Sequence, residues 1–387
     1  MLLLVCALIA YGFMSYQLPL PALAAVTNLP ATSATTASNL PWPKQGQAAI
    51  GAVGYGVLAT HGADTPIPTA SIAKMMTALA VLKEHPLQPD QQGPTITLTK
   101  TDVGYFDTYF AEGGSLVKVA AGEKITEYQA LEAMLLPSAN NMAETLAVWA
   151  FGSMDAYTTY ANDYAQTLGL KQAHFADASG FSPETVASAS DLVQLGIASI
   201  QNPVLARIVN ERQAKVPVAG VIPNVNWLLG THGINGIKTG STDQDGGVYL
   251  FSAPHTYQNG QTITIVGAIM GMKLLTQALN TSVPLLNQAQ ANFSPTTVLT
   301  AGQVVGHYPV PWDVDIDAVS TRSLSLMSWE GQPITPQIAF KPLHAPFAKG
   351  ETVGIITTKA DPTQTIPVVT GEAATVPHWY WRALRRL

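Results

Sequence analysis

The stretch Pro68-Thr69-Ala70-Ser71-Ile72-Ala73-Lys74-Met75-Met76-Thr77-Ala78 organises the reading of this 387-residue chain. Met75, Met76, Leu79 and Leu82 recur at helical spacing, which predicts a helix over Ile72–Leu82 with Pro68 and Thr69 just ahead of its start. Ser71 and Lys74 stand three apart at the head of that helix and share one face. A serine hydroxyl is a poor nucleophile unless a base takes its proton. Lysine is such a base only when unprotonated, which requires burial and a neighbouring cation. The helix N-terminus also directs its dipole and free N–H groups at any oxyanion formed beside Ser71.

The four-residue pattern alone is cheap, because Ser115-Leu116-Val117-Lys118 repeats it. That copy follows Gly113-Gly114, and Leu116-Val117-Lys118-Val119 reads as a strand, on which residues three apart face opposite sides. Helical placement therefore favours Ser71. Two later motifs complete a set. Ser138-Ala139-Asn140 falls between helices predicted at Glu127–Leu136 and Asn141–Trp149, where a loop aims side chains into a cleft. A hydroxyl there can carry a proton, and the Asn amide can bridge a lysine and a substrate peptide group. Taken by itself, Ser138 reads more readily as a helix cap. Lys238-Thr239-Gly240 follows a turn and enters a strand. Its Lys and Thr suit a carboxylate, and its Gly leaves the strand edge open to an added substrate strand.

Composition narrows the rest. Hydrophobic residues at 47% against 11% charged describe a globular protein, and a net charge of −6 without a Lys/Arg run argues against nucleic-acid binding. The eight histidines show no metal-ligand spacing, and the lone Cys6 rules out a disulfide framework or Cys-ligated metal. No metal or organic cofactor is expected.

Met1 to Ala25 carries no charge and ends in a small-residue Ala22-Leu23-Ala24 tract. It reads as a signal peptide cleaved after about Ala24, with the start lying further upstream, or as an uncleaved anchor. Residues 26–46 read as a flexible linker. Ala48–Val53 and Tyr55–Thr60 are predicted strands, with Gly54-Tyr55-Gly56 in a hairpin. A helix is predicted over Asp191–Ile200, and strands over Val248–Ser252 and Thr262–Met270 around an Asn259-Gly260 turn. After Phe293 the pattern becomes β-branched: Thr296–Leu299, Val304–Val310, Ile334–Phe340, Thr352–Thr358 and Ile366–Thr370 alternate with turns. The expected organisation is a catalytic domain over 47–293, a β-rich domain over 294–372 and a tail over 373–387. That tail mixes Trp379, Tyr380 and Trp381 with Arg382, Arg385 and Arg386, a composition suited to a peripheral membrane contact.

The three motifs, in this order, are the signature of penicillin-interacting serine enzymes. The sequence resembles low-molecular-weight penicillin-binding proteins of the D-alanyl-D-alanine carboxypeptidase type. Likeness extends to Leu135-Leu136-Pro137-Ser138-Ala139-Asn140-Asn141, although Asp is common where Asn141 stands. It also takes in Phe175-Ala176-Asp177-Ala178-Ser179-Gly180, Ser190-Asp191-Leu192 and the β-rich Ala345–Gly354, and covers roughly Ala48 to Thr370. The resemblance implies an α/β (α+β) β-lactamase/transpeptidase-like catalytic domain with an inserted helical region, followed by a small C-terminal all-β domain. Ser71 would be the acylated nucleophile, Lys74 its base and Ser138 the relay. Asn140, Lys238, Thr239 and Gly240 would bind substrate, and the backbone N–H groups of Ser71 and Ser241 would form the oxyanion hole. Ser241 stands where His is frequent. Lys273 stands where Arg is frequent, still able to attract a terminal carboxylate but not bidentately.

The implied activity is removal of terminal D-Ala from peptidoglycan stem pentapeptides, on the cell-wall side of the cytoplasmic membrane, with β-lactams as covalent inhibitors. A DD-endopeptidase and a catalytically silent wall-binding scaffold are the alternatives. A class A β-lactamase would need a Glu in an E-x-x-L-N context, and Glu144, Glu184 and Glu211 lack it.

Overall fold

A computed structural model describes residues 2–29, 39–242, 246–330, 335–358 and 364–385. The chain divides into two compact units: Asn39–Asn292, and Met1–Ser38 together with Phe293–Leu387.

The larger unit is built on a five-stranded antiparallel sheet. Its strands run in the order Gly236–Thr242, Gly246–Thr256, Thr262–Met272, Gln47–Ala52, Gly56–His61. The central strands are buried nearly end to end, which is why they read as apolar runs rather than alternating ones. Gly54 and Gly56 adopt positive φ in the hairpin joining the last two strands, and no phosphate-binding helix follows them. Helices Ala189–Gln201 and Leu275–Ala291 pack on this sheet.

The helical region centres on Ala73–Glu84, in which every residue from Ala73 to Leu82 is buried. A helix that is apolar all round belongs inside, and this one is enclosed by helices Glu127–Leu135, Asn140–Phe151, Met154–Thr167 and Ala189–Gln201. The predicted helices lie within two residues of the observed ones. Helices Lys100–Ala111, Met154–Thr167, Pro203–Val209 and Leu275–Ala291 went unread.

The segment around Ser115–Val119 is irregular rather than a strand. Val117 donates its N–H to Asn141 Oδ1 (3.1 Å), and its carbonyl accepts from Asn141 Nδ2 (3.0 Å). A buried side-chain amide thus replaces the neighbouring strand.

The smaller unit holds a six-stranded antiparallel sheet, ordered Val26–Thr27, Val304–Tyr308, Ile316–Ser320, Ile366–Thr370, Thr352–Thr357, Gln337–Phe340. Phe293–Leu299 pairs with Leu324–Trp329 beside it. Val305, Tyr308, Val353, Ile356 and Val368 form its core. The stretch read as a linker is in part structured: Val26 pairs with His307 and Thr27 with Gly306, while residues 30–38 lie outside the described residues, as does Arg386 of the tail.

Candidate active site

Ser71 sits on a single 3-10 turn, Ala70–Ile72, which feeds the buried helix. That turn is entered with strain, since Ala70 has φ +45°, a conformation costly for a residue with a Cβ. Two close contacts hold it there. A Cβ at Gly180 would lie 1.8 Å from the Ala70 carbonyl oxygen, and one at Gly240 would lie 3.1 Å from the Ser71 nitrogen. Glycine at both positions lets two backbones press against the turn. The strand Gly236–Thr242 therefore runs beside the Ser71 amide, and Lys238, Thr239 and Gly240 are carried to the serine on it.

Lys74 is fully buried one turn on. Its Nζ lies 2.9 Å from Ser71 Oγ and donates to Asn140 Oδ1 (2.8 Å) and to the Ser179 carbonyl (2.9 Å). Burial, then the nearby Lys238, drive its pKa well below the ordinary lysine value, with Asp177 opposing. Lys238 is also buried, and desolvation pushes it down to about 7; its ammonium donates to the carbonyl of Thr239 at 3.0 Å. Burial first, and the charge of Lys238 second, give the amine beside Ser71 the character of a base.

Ser138 is buried, with φ +67°, between helices Glu127–Leu135 and Asn140–Phe151. The second of these helices has Ala139 as N-cap and no side-chain cap, so Ser138 is not engaged in capping it. Instead it lines one cleft with Ser71, Ser115, Thr239, Gly240 and Ser241. The adjoining cavity, about 320 Å³, is lined by Ser71, Glu112, Asn140, Phe181, Ser241 and Thr242 among others. Of the residues singled out from sequence, Ser71, Lys74, Ser138, Asn140, Lys238, Thr239, Gly240 and Ser241 are thus brought together. Lys273 lies exposed just past the end of strand Thr262–Met272, two residues before Leu275 of the cleft, and is not itself among the residues lining either cavity. Glu144, Glu184 and Glu211 are likewise absent from those linings.

Sequence reasoning passed over the turn that steers Lys74. Asp177 accepts from Ser179 Oγ (2.7 Å), from the N–H groups of Gly180 (3.0 Å) and Phe181 (3.0 Å), and from Thr185 Oγ1 (2.5 Å). This fixes the Ser179 carbonyl on the lysine. Only the familiar look of Phe175–Gly180 hinted at it. The rejected Ser115 copy also belongs to the cleft, as a wall: the Ser115 carbonyl accepts the Asn140 N–H at 2.8 Å. Trp227, largely exposed, adds an apolar rim with Val225 and Leu275. Among the described residues no His, Cys, Asp or Glu cluster could hold a metal ion.

The family described as D-alanyl-D-alanine carboxypeptidase matches residues 49–272, more than half of the chain. D-alanyl-D-alanine carboxypeptidase DacA of Escherichia coli is 28% identical over 320 residues, covering 79% of this chain and 76% of its own. A D-alanyl-D-alanine endopeptidase of Pseudomonas aeruginosa is 32% identical over 151 residues, covering 39% of this chain and 46% of its own. Among solved structures, penicillin binding protein 5 from Haemophilus influenzae superposes with a TM-score of 0.62 at 21% identity, over 87% of this chain and 99% of that one. That likeness shows the fold, a β-lactamase/transpeptidase-like unit with an all-β C-terminal part. A buried Lys74 against Ser71 and a family match over most of the larger unit lead to one placement: the chain belongs to the D-alanyl-D-alanine carboxypeptidase family of serine hydrolases.

Proposed function

We propose that Ser71, Lys74 and Ser138 carry the reaction, on the terminal D-Ala of peptidoglycan stem peptides. The observation that carries this reading is the 2.9 Å approach of a fully buried, deprotonation-prone Lys74 Nζ to Ser71 Oγ. Ser71 Oγ attacks the carbonyl carbon of the penultimate D-Ala while its proton passes to Lys74 Nζ. The oxyanion is received by the N–H groups of Ser71 and Ser241. The C–N bond then breaks, the proton travels through Ser138 to the leaving amine, and D-Ala departs. Water hydrolyses the remaining ester, regenerating Ser71.

Lys238 and Thr239 hold the substrate's terminal carboxylate, Asn140 accepts a substrate N–H or orients Lys74, and Gly240 keeps the strand edge open. Exposed Lys273, two residues from Leu275 of the cleft, adds a single-point attraction for that carboxylate. β-Lactams acylate the same serine. The enzyme works on the cell-wall side of the cytoplasmic membrane. Removal of a single terminal residue is favoured over crosslink cleavage because the carboxypeptidase relative covers 79% of this chain, and the endopeptidase relative 39%.

The test is fluorescent-penicillin labelling of wild type beside Ser71→Ala, with D-Ala release from a pentapeptide followed in parallel. Labelling and release both vanish in Ser71→Ala. Labelling that persists in the variant removes Ser71 as nucleophile, and labelling of wild type without D-Ala release turns the assignment to the endopeptidase or the silent scaffold.

A further inference from the structure

The motif residues divide between the two cavities beside Ser71. Ser138 and Thr239 line the cleft rimmed by Trp227, whereas Asn140 and Thr242 line the cavity of about 320 Å³, and Ser71 and Ser241 belong to both. The direction of a bound stem peptide follows, and it rests on the reaction proposed above. With the terminal carboxylate on Lys238 and Thr239 and the relay Ser138 at the leaving amine, the departing D-Ala occupies the first cavity. The acyl part of the peptide then runs the other way, past Ser241 and Thr242 into the second. Among the described residues lining that second cavity, Glu112 alone carries a charge.

Local structure holds Glu112 in place. It caps the C-terminus of helix Lys100–Ala111 and is followed by Gly113 at φ +73°. The Gly113 N–H donates to the Phe110 carbonyl (3.3 Å) and the Gly114 N–H to the Tyr109 carbonyl (2.8 Å), the paired bonds of a left-handed glycine cap. This corner is pressed onto the site, since a Cβ at Gly114 would lie 2.7 Å from Asn140 Nδ2. A carboxylate is disfavoured at the negative end of a helix. Among the described residues no ion pair engages Glu112. Its surroundings are negative as well: burial first, then Asp177 and Glu112, hold the Glu144 carboxyl above the ordinary carboxylate range, against a hydrogen bond with Tyr109 that lowers it. Stability gives no reason for an acid at position 112, whereas a cation arriving with the substrate does.

Phe181 supplies an apolar wall to the same cavity. Asp177 accepts its N–H (3.0 Å), and its ring meets Tyr109 edge-on with centroids 5.5 Å apart. An aromatic wall and a carboxylate in one cavity match an aliphatic chain that ends in an ammonium group. We propose that Glu112 is a specificity-determining residue, pairing with a primary ammonium on the side chain of the residue that precedes the two D-alanines. That residue is a diamino acid, and its aliphatic stem lies against Phe181. An extended peptide advances about 3.3–3.6 Å per residue, so it stands one step from the alanine acylated on Ser71. Acylation of that amine removes its charge, so Glu112 selects stem peptides whose side-chain amine is free.

The test compares two synthetic pentapeptides ending in D-Ala-D-Ala, identical except that the lysine at the third position is free or Nε-acetylated. D-Ala release is followed with the full chain as wild type, Glu112→Gln and Glu112→Lys. In wild type kcat/KM should favour the free amine about fivefold, the worth of an ion pair at a half-open site. The ratio should fall to about one in Glu112→Gln and below one in Glu112→Lys. Each variant is its own control, so a loss of folded protein leaves the ratio untouched. A wild-type ratio of about one, or a preference that survives Glu112→Gln, would overturn the proposal. Failure of wild type to release D-Ala from either peptide counts against the carboxypeptidase reading instead. The same two peptides are then scored as competitors of fluorescent penicillin at Ser71, where the same ratios, kept or lost, decide the role of Glu112.

Discussion

The two units bury polar groups to opposite ends. In the β-rich unit the core is apolar, and its buried polar groups are conventional, such as Tyr308 donating to the Lys341 carbonyl at 2.7 Å. In the catalytic unit two lysines lie in the interior beside a strained serine turn, with Asp177 holding the loop that faces one of them. Burying an ammonium group disfavours its charged form, so the catalytic unit gives up stability to hold an amine that can accept a proton. Among the described residues, no lysine or arginine is buried in the β-rich unit. Mutations should therefore separate activity from stability according to which unit they strike.

The widest separation is expected at Lys74. Lys74→Met should slow acylation by fluorescent penicillin about 10²–10⁴-fold, the span usual for a lost general base. It should also change how stability depends on pH. Both lysines are depressed in the folded state, so across the window from their folded values to the ordinary lysine value the unfolded chain binds more protons, and stability rises with pH. Urea melts from pH 7 to pH 10 should show that rise in wild type and a flatter one in the variant. An unchanged rise would dissolve the contrast between the units.

Ile356→Ala probes the other side. Ile356 is fully buried in the β-rich core, and its truncation should cost about 2–5 kcal/mol by denaturant melts. Acylation at Ser71 should keep its wild-type rate. A matching loss of acylation would mean that the core of the β-rich unit governs the reactive serine.

Glu127 is an exception inside the catalytic unit, and it sharpens the comparison. Its carboxyl is fully buried with neither oxygen hydrogen-bonded, and burial lifts its pKa to about 7, yet it lines neither active-site cavity. A raised carboxyl pKa gives stability that is complete below about pH 4.5 and lost as pH climbs through about 7. Glu127→Gln should therefore gain about 2 kcal/mol at pH 8 and little at pH 4, with acylation unaffected.

The smallest effect is expected from Lys238→Arg. In wild type kcat/KM should fall as Lys238 loses its charge above about 7. Arginine stays charged, so the variant should lose the falling limb, at a cost of about tenfold in kcat/KM near neutrality for its altered fit to the carboxylate. A falling limb that survives would detach it from Lys238.

How much of this was legible in the sequence depended on whether side chains or backbone did the work. Ser71, Lys74, Ser138 and Lys238 announce themselves by type and order, and their helices and strands follow from apolar spacing. Asp177 and Ser179 escaped because the group offered to Lys74 is a main-chain carbonyl, which any residue supplies. The left-handed Ala70 escaped because nothing in an alanine signals positive φ. Leu23, buried in the β-rich core with its backbone paired to that of Leu343, escaped for a third reason. Its partner Leu343 lies 320 positions away, and no local pattern distinguishes a core leucine from one in a cleavable leader. The Ser115 segment was read as a strand because Leu116-Val117-Lys118-Val119 has a strand-like composition, and only the Asn141 amide shows where its backbone bonds go.

The contact between Gly180 and the Ala70 carbonyl bears on how this chemistry could be transplanted. A designer who grafts the Ser71–Lys74 helix onto another scaffold would carry over the serine and the amine but not the turn that imposes the geometry of Ala70. Freed of that pressure, Ala70 would relax to an ordinary helical φ and the serine would swing with it. The smallest portable unit is therefore discontinuous in sequence: the nucleophile helix, the Asp177–Phe181 turn and the strand bearing Gly240, moved together.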